Sequence, residues 1–246
     1  MDVQGKVVVV TGASSGIGLA TARLLAARKA RLALIARSHD ELRELAAEIG
    51  DAVALPADLS DPEVARRSVR QALDHFGRVD ILVNSAGQGY DVAVEKTDLE
   101  KFEYIFRLHV LGALAAMQTV IPAMRAQGGG AIVNVSSGTS LMTLPNNGAY
   151  SATKRALNGL SLTAREELAK DGISVSVVYP FMTDTDFEER TQAFSDPSAL
   201  LPYEGAGHDL PPLDPPELVA LKILEAIETG EAEVFAHDWM RGSRSS

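Results

Sequence analysis

Lys6-Val7-Val8-Val9-Val10-Thr11-Gly12-Ala13-Ser14-Ser15-Gly16-Ile17-Gly18-Leu19 carries an unbroken apolar run into a glycine turn and then into a helix-like stretch. β-Branched residues favour strands, and a run without polar alternation is a strand covered on both faces. A strand that passes through glycines into a helix puts bare backbone and the positive helix end at one point, where a dinucleotide's pyrophosphate can be held. The spacing, Gly12-x-x-x-Gly16-x-Gly18, is not Gly-x-Gly-x-x-Gly, so the turn takes its meaning from the elements around it.

Further apolar runs follow at Leu32 to Ile35, Val53 to Leu55, Val79 to Val83, Ala131 to Val135 and Val175 to Val178. Between them lie Gly18 to Arg28, Asp40 to Ile49, Asp61 to Phe76, Leu99 to Ala126 and Tyr150 to Lys170, with apolar residues at helical spacing. Buried strands alternating with helices predict an α/β fold: a doubly wound, Rossmann-like parallel sheet in a single domain. Local signals agree. Ser38 with Glu41 forms a candidate capping box, Asp61-Pro62-Glu63 a helix start, and Gly172 a helix stop. Residues 180–216 are rich in proline and read as a loop or substrate lid with at most a short helix. Beyond it, Pro216 to Glu228 reads as a helix, Glu231 to Phe235 as an edge strand and Gly242 to Ser246 as a frayed tail.

The chain has 246 residues, 46% hydrophobic and 23% charged, as in ordinary globular proteins. A formal net charge of −10 argues against nucleic acid or an anionic membrane surface as partner. The absence of cysteine removes disulfides and thiolate chemistry. No secretory leader is expected at Met1, and no stretch is expected to span a bilayer, so the cytoplasm is the expected compartment.

The choice of dinucleotide turns on the end of the second strand. A carboxylate there holds the ribose hydroxyls of NAD, whereas a basic residue accommodates the phosphate of NADP. The sequence reads Leu34-Ile35-Ala36-Arg37-Ser38: Ala36 offers no carboxylate and Arg37 presents a planar fork of donors. Asp40 and Glu41 fall in the first turn of the next helix, where acids suit the dipole. NADP(H) is therefore expected over NAD.

A second stretch, Tyr150-Ser151-Ala152-Thr153-Lys154, places a phenol and an ammonium on one helix face, a turn apart. Together with Thr11 to Gly18, Asn84-Ser85-Ala86-Gly87 and Ser136-Ser137, it resembles the short-chain dehydrogenase/reductase family, in order and spacing as far as about Thr185. The resemblance implies hydride transfer between a nicotinamide and a carbonyl or alcohol. Tyr150 would be the proton donor or acceptor and Lys154 its electrostatic support. Bringing a phenol from a pKa of about 10 to near 7 needs roughly 4 kcal/mol, and a unit charge at about 5 Å supplies roughly 3 kcal/mol at an effective dielectric of about 20. Ser137, thirteen residues before Tyr150, would orient the substrate oxygen, with Ser136 as its near rival.

For the coenzyme the resemblance implies contacts from Gly12, Ser14, Ser15, Gly16, Ile17 and Gly18 at the pyrophosphate. Arg37 and Ser38 would meet the 2′-phosphate, while Asp58 and Leu59 would lie by the adenine. Asp58 equally suits a plain turn. Asn84 would brace the sheet end and line the cleft with Ala86 and Gly87, while Tyr150, Lys154, Pro180, Thr183 and Thr185 would surround the nicotinamide riboside. Two departures stand out. His109 occupies the place of the family's helix-four asparagine and would support a proton relay while adding pH dependence near 6.5, with a buried structural histidine as the alternative. Phe181 follows Pro180 where the family has glycine, so the turn must differ or the ring must point away from the coenzyme.

Met142, Leu144, Phe181, Met182 and Tyr203 are candidate substrate walls. The helices Leu99 to Ala126 and Tyr150 to Lys170 correspond to the family's common dimer contact, so a homodimer is expected ahead of a tetramer. The activity implied is NADPH-dependent reduction of a small-molecule ketone or aldehyde, with a non-catalytic NADPH-binding sensor or interaction protein as the alternative.

Overall fold

A computed structural model describes residues 1–195 and 212–245. Seven parallel strands form one sheet: β1 (Val7–Thr11), β2 (Arg31–Ala36), β3 (Ala52–Pro56), β4 (Ile81–Asn84), β5 (Gly130–Val135), β6 (Ile173–Tyr179) and β7 (Glu233–Phe235). Their order across the sheet is β3-β2-β1-β4-β5-β6-β7, the doubly wound arrangement expected. The order reverses between β1 and β4, and the cleft of such sheets opens beyond the strand ends at that point.

The eight α-helices among the described residues are α1 (Gly16–Ala27), α2 (His39–Ile49), α3 (Pro62–Phe76), α4 (Leu99–Phe106), α5 (Ala113–Ala126), α6 (Gly148–Leu168), α7 (Phe187–Phe194) and α8 (Pro216–Thr229). Strand periodicity explains why both sheet faces are covered. Val8, Val10, Leu32, Leu34, Ile81 and Val83 pack with Ala22 and Leu25 of α1 and Val219, Ile223 and Ile227 of α8. Val7, Val9, Ala33, Ile35 and Leu82 point the other way, onto Ala65, Val69 and Ala72 of α3 and Met117 and Val120 of α5.

Asp61 caps α3, accepting from the Glu63 and Val64 amides at 2.9 and 3.4 Å. Gly172 ends the helical segment after α6 in the left-handed region (φ +69°). Ser38 stands at the N-cap of α2 but makes no side-chain capping bond, so the expected capping box is absent.

Leu99 to Ala126 departs most from expectation. It is helical throughout, but Arg107–Gly112 is a π-helical turn separating α4 from α5. The stretch has the length and mean hydropathy (1.4) of a membrane span, contrary to the expectation that none does. More than half of that window is buried in the protein, where α5 packs with α3 against the sheet. The C-terminal end also differs: Asp238–Ser245 forms 3₁₀ turns rather than fraying from Gly242. The anchor is Met240, fully buried, whose Cε stands 2.9 Å from where a Cβ on Gly138 would lie. In the expected lid, α7 is the short helix, and Tyr203 lies outside the described residues.

Candidate active site

A cavity of about 470 Å³ opens at the carboxyl ends of the central strands. Its floor is the glycine turn. Gly12 has φ +69°, and a Cβ there would come within 2.9 Å of the Ala86 Cα; a Cβ on Gly18 would overlap the Gly12 carbonyl. The Thr11 hydroxyl accepts from the Ser85 and Ala86 amides at 3.0 and 3.1 Å, fastening the end of β1 to the loop after β4. Ser15 is the N-cap of α1 and makes no capping bond, and the first turn carries no acid. Ser14, Ser15, Gly16, Ile17 and Gly18 all line the cavity. A bare-backbone cradle at a positive helix end therefore faces the space, which fits a pyrophosphate.

Arg37, Ser38, Asp58 and Leu59 line the far end. The exposed Arg37 donates from Nη1 to the Tyr104 hydroxyl at 2.9 Å. Asp58 closes a turn, accepting from the Ser60 amide at 3.0 Å, while also bordering the cavity.

At the opposite end α6 brings Tyr150 and Lys154 to the wall, both buried. Lys154 Nζ lies 5.7 Å from the Tyr150 ring centroid and donates to the Val135 carbonyl at 3.0 Å. No carboxylate among the described residues pairs with it, and burial lowers its pKa from 10.5 to about 8. Ser137, at the start of a 3₁₀ turn, is half-buried and lines the cavity; its Oγ accepts from the Thr139 amide at 3.2 Å. Ser136 also borders the cavity but is buried, with its hydroxyl 3.3 Å from that of Ser140. Of the two serines, Ser137 is the more open to the cavity.

Two residues are placed otherwise than expected. Asn84 does brace the sheet, donating to the Asn134 side chain at 2.8 Å, and Asn134 donates on to Ser161 at 2.8 Å, but Asn84 is not part of the cavity wall. His109 sits in the π turn, its ring 5.6 Å from that of Tyr150. Its Nε2 accepts from the Gln88 amide at 3.0 Å, so the proton is on Nδ1, which donates to the Thr153 hydroxyl at 2.8 Å. The hydroxyl in turn donates to the Tyr150 carbonyl at 2.8 Å. Burial, helped by the Lys154 charge, holds the His109 pKa well below its usual value. The pH dependence near 6.5 expected of His109 is thereby corrected: the ring is neutral with both nitrogens engaged.

Phe181 is not among the residues with positive φ. Its ring packs edge-on against Trp239, centroids 5.0 Å apart, while still bordering the cavity beside Pro180, Met182, Thr183 and Thr185. Of the other candidate walls, Met142 and Leu144 stay outside the lining.

Several wall residues carried no sequence signal. Asp91, from the loop after β4, accepts from the Asn147 amide group at 2.7 Å, and burial raises its pKa. Phe187 of α7 stands with its ring 6.0 Å from that of Tyr150. Arg190, also on α7, donates from Nη2 to the Ser15 hydroxyl at 2.9 Å.

Comparison with known proteins bears on the same residues. Residues 6–196 match the family model of short chain dehydrogenases. The chain is 34% identical over 190 residues to an uncharacterized oxidoreductase of Staphylococcus epidermidis, covering 77% of this chain and 83% of that one. With an uncharacterized oxidoreductase of Thermotoga maritima it shares 34% identity over 231 residues, covering 92% and 91%. Among solved structures, 3-ketoacyl-(acyl-carrier-protein) reductase from Brucella melitensis complexed with NADH superposes with a TM-score of 0.84 at 27% identity, over 95% and 97% of the chains. A short chain dehydrogenase/reductase from Burkholderia phymatum in complex with NAD shares the fold, with a TM-score of 0.86 at 23% identity over 99% and 93%.

Proposed function

The chain belongs to the short-chain dehydrogenase family, and from that premise we propose that it is an NADPH-dependent reductase of small ketones or aldehydes, reversible toward the alcohol. The observation that carries the reading is the placement of Tyr150, Lys154 and Ser137 at one end of a cavity whose floor is the glycine cradle. When bound, the nicotinamide supplies the hydride to the carbonyl carbon or takes it back. Ser137 presents its hydroxyl to the substrate oxygen and steadies charge developing there. Tyr150 delivers its phenolic proton to that oxygen in reduction and removes it in oxidation. Lys154, with its ammonium 5.7 Å from the ring centroid, stabilises the phenolate left behind. At an effective dielectric of about 20 that is worth about 3 kcal/mol. His109 acts on Thr153 and the Tyr150 backbone, positioning the start of α6 rather than carrying a proton.

Preference for NADPH rests on Arg37. It follows β2 at the cavity margin next to Ala36, and its one polar partner among the described residues is a neutral phenol, so its charge is available to a 2′-phosphate. The solved neighbours quoted above carry NAD and NADH. A homodimer through the outer faces of α4, α5 and α6, and a cytoplasmic setting, complete the proposal.

Titration with NADPH and NADH by nicotinamide fluorescence tests the coenzyme. Wild type is expected to bind NADPH at least tenfold more tightly, about 1.4 kcal/mol, and Arg37→Glu to reverse the order; equal affinities in wild type would remove the NADP assignment. A carbonyl screen then tests catalysis. Tyr150→Phe should reduce turnover of any substrate found by at least about a hundredfold, and undiminished turnover would leave only a binding protein.

A further inference from the structure

Among the described residues lining the cavity, three carry a positive charge: Arg37 at one end, Lys154 at the other and Arg190 between them. The first two have roles in the reading above, and Arg190 has none. Its Nη2 donates to the hydroxyl of Ser15, the residue that opens α1 at the glycine cradle, at 2.9 Å. The nearest carboxylate paired with it, Asp186, is 4.0 Å away and mostly exposed, so the guanidinium is not neutralised at close range.

Arg190 is also held in place from behind. Its carbonyl accepts from the Gln88 side chain at 3.1 Å. The hydroxyl of its neighbour Thr191 fills the space a Cβ on Gly89 would occupy. At the end of α7 the Phe194 carbonyl accepts from Lys101 Nζ at 2.6 Å, and the Phe194 ring packs on Tyr90 and Tyr104 at 5.6 and 5.7 Å. The helix thus rests on the loop after β4 and on α4, and its guanidinium reaches across to the start of α1.

Resting on the coenzyme-binding reading, we propose that Arg190 is a pyrophosphate clamp: it binds the coenzyme's diphosphate against the glycine cradle and so couples the seating of α7 to coenzyme binding. A diphosphate at the start of α1 lies beside Ser15, within the fan of the guanidinium's remaining N–H groups. One planar cation then serves an anion that the cradle meets with neutral amides. The clamp contacts what NADP and NAD share, whereas Arg37 contacts what they do not.

The experiment is a fluorescence titration of wild type, Arg190→Gln and Arg190→Lys with NADPH and NADH, each protein also melted without coenzyme. Loss of one half-exposed, charge-assisted contact is expected to weaken both coenzymes alike, by about tenfold in R190Q and less in R190K, with coenzyme-free melting temperatures unchanged. Amide hydrogen exchange across Phe187–Phe194 should slow when NADH binds wild type and not when it binds R190Q. Affinities within about twofold of wild type for both coenzymes would overturn the clamp. So would a loss confined to NADPH, which would place the guanidinium at the 2′-phosphate, or a loss in R190K equal to that in R190Q, which would take the charge out of the argument. The coenzyme-binding reading itself is judged by a different quantity, whether wild type binds either coenzyme at all, so the two can fail separately.

Discussion

Lys154→Met separates what the ammonium does for the reaction from what it does to the fold. In the coenzyme-free chain Lys154 is buried, its polar contact is the Val135 carbonyl at 3.0 Å, and its pKa is lowered from 10.5 to about 8 by burial alone. At about 1.4 kcal/mol per pH unit, that gap makes the charged side chain cost roughly 3 kcal/mol at neutral pH. Methionine fills nearly the same space without charge but leaves the Val135 carbonyl without its donor, a loss of about 1 kcal/mol. K154M should therefore be more stable than wild type by about 2 kcal/mol at pH 7, or roughly 4–8 °C in a chain of this size. The pH dependence follows from which state holds the proton. Between about pH 8 and 10.4 the unfolded chain still binds it and the folded chain does not, so wild-type stability rises with pH across that window. Below the window the full cost applies, and above it none. K154M lacks this rise, so the two melting curves converge as the pH goes up. Turnover moves the opposite way: losing about 3 kcal/mol of phenolate stabilisation lowers it about a hundredfold. Melts of coenzyme-free protein from about pH 7 to 9.5 check the argument. A variant that melts at or below wild type at pH 7, or a difference that stays constant with pH, would refute it.

Two further outcomes are expected. His109→Asn should leave the acid side of the pH–rate profile unchanged between about pH 5 and 7, because the ring is neutral there, and should cost about 1 kcal/mol of stability for the bond to Gln88 or Thr153 that an amide does not reproduce; a lost acid limb would restore a titrating histidine. Asp80 is buried beneath the sheet, accepts from the Val7 amide at 2.9 Å and pairs with Arg78 and Lys6. Burial works to raise its pKa, but these partners outweigh burial and lower it. Its contribution is present above about pH 4, the unfolded value, and is lost as the pH falls through the lower folded one. Asp80→Asn should cost about 3 kcal/mol in urea unfolding at pH 7 and much less near pH 2. An equal cost at both would assign the effect to packing.

The end of the cavity proposed for the dinucleotide was legible as a place in the fold because it is built from strand ends. Each of its parts, from Gly12 and Arg37 to Asp58 and Gly87, lies within three residues of the end of a strand whose apolar run marks it, and the parallel order then brings those ends to one edge. The π turn was not legible, since the apolar pattern from Leu99 to Ala126 continues across it. At its end a Cβ on Gly112 would overlap the Leu59 carbonyl, so the chain passes there as bare backbone. The same turn carries His109 to the Gln88 amide and Thr153.

Beyond Ser137, Tyr150, Lys154, Phe181 and Met182, the walls on the substrate side resisted reading for a related reason. They are set by contacts between segments far apart in sequence, each made where a side chain meets a glycine. Thr191 seats on Gly89 and so fixes α7 with Phe187 and Arg190, while Met240 seats on Gly138 and brings Trp239 against Phe181. In a sequence these glycines resemble turn residues, and nothing local names their partners. The proposed coenzyme cradle is therefore written in the order of the strands. Substrate choice is written in which side chains the glycines admit, and variation at Gly89, Gly138, Thr191 and Met240 should change specificity while leaving the Tyr150–Lys154 pair where it stands.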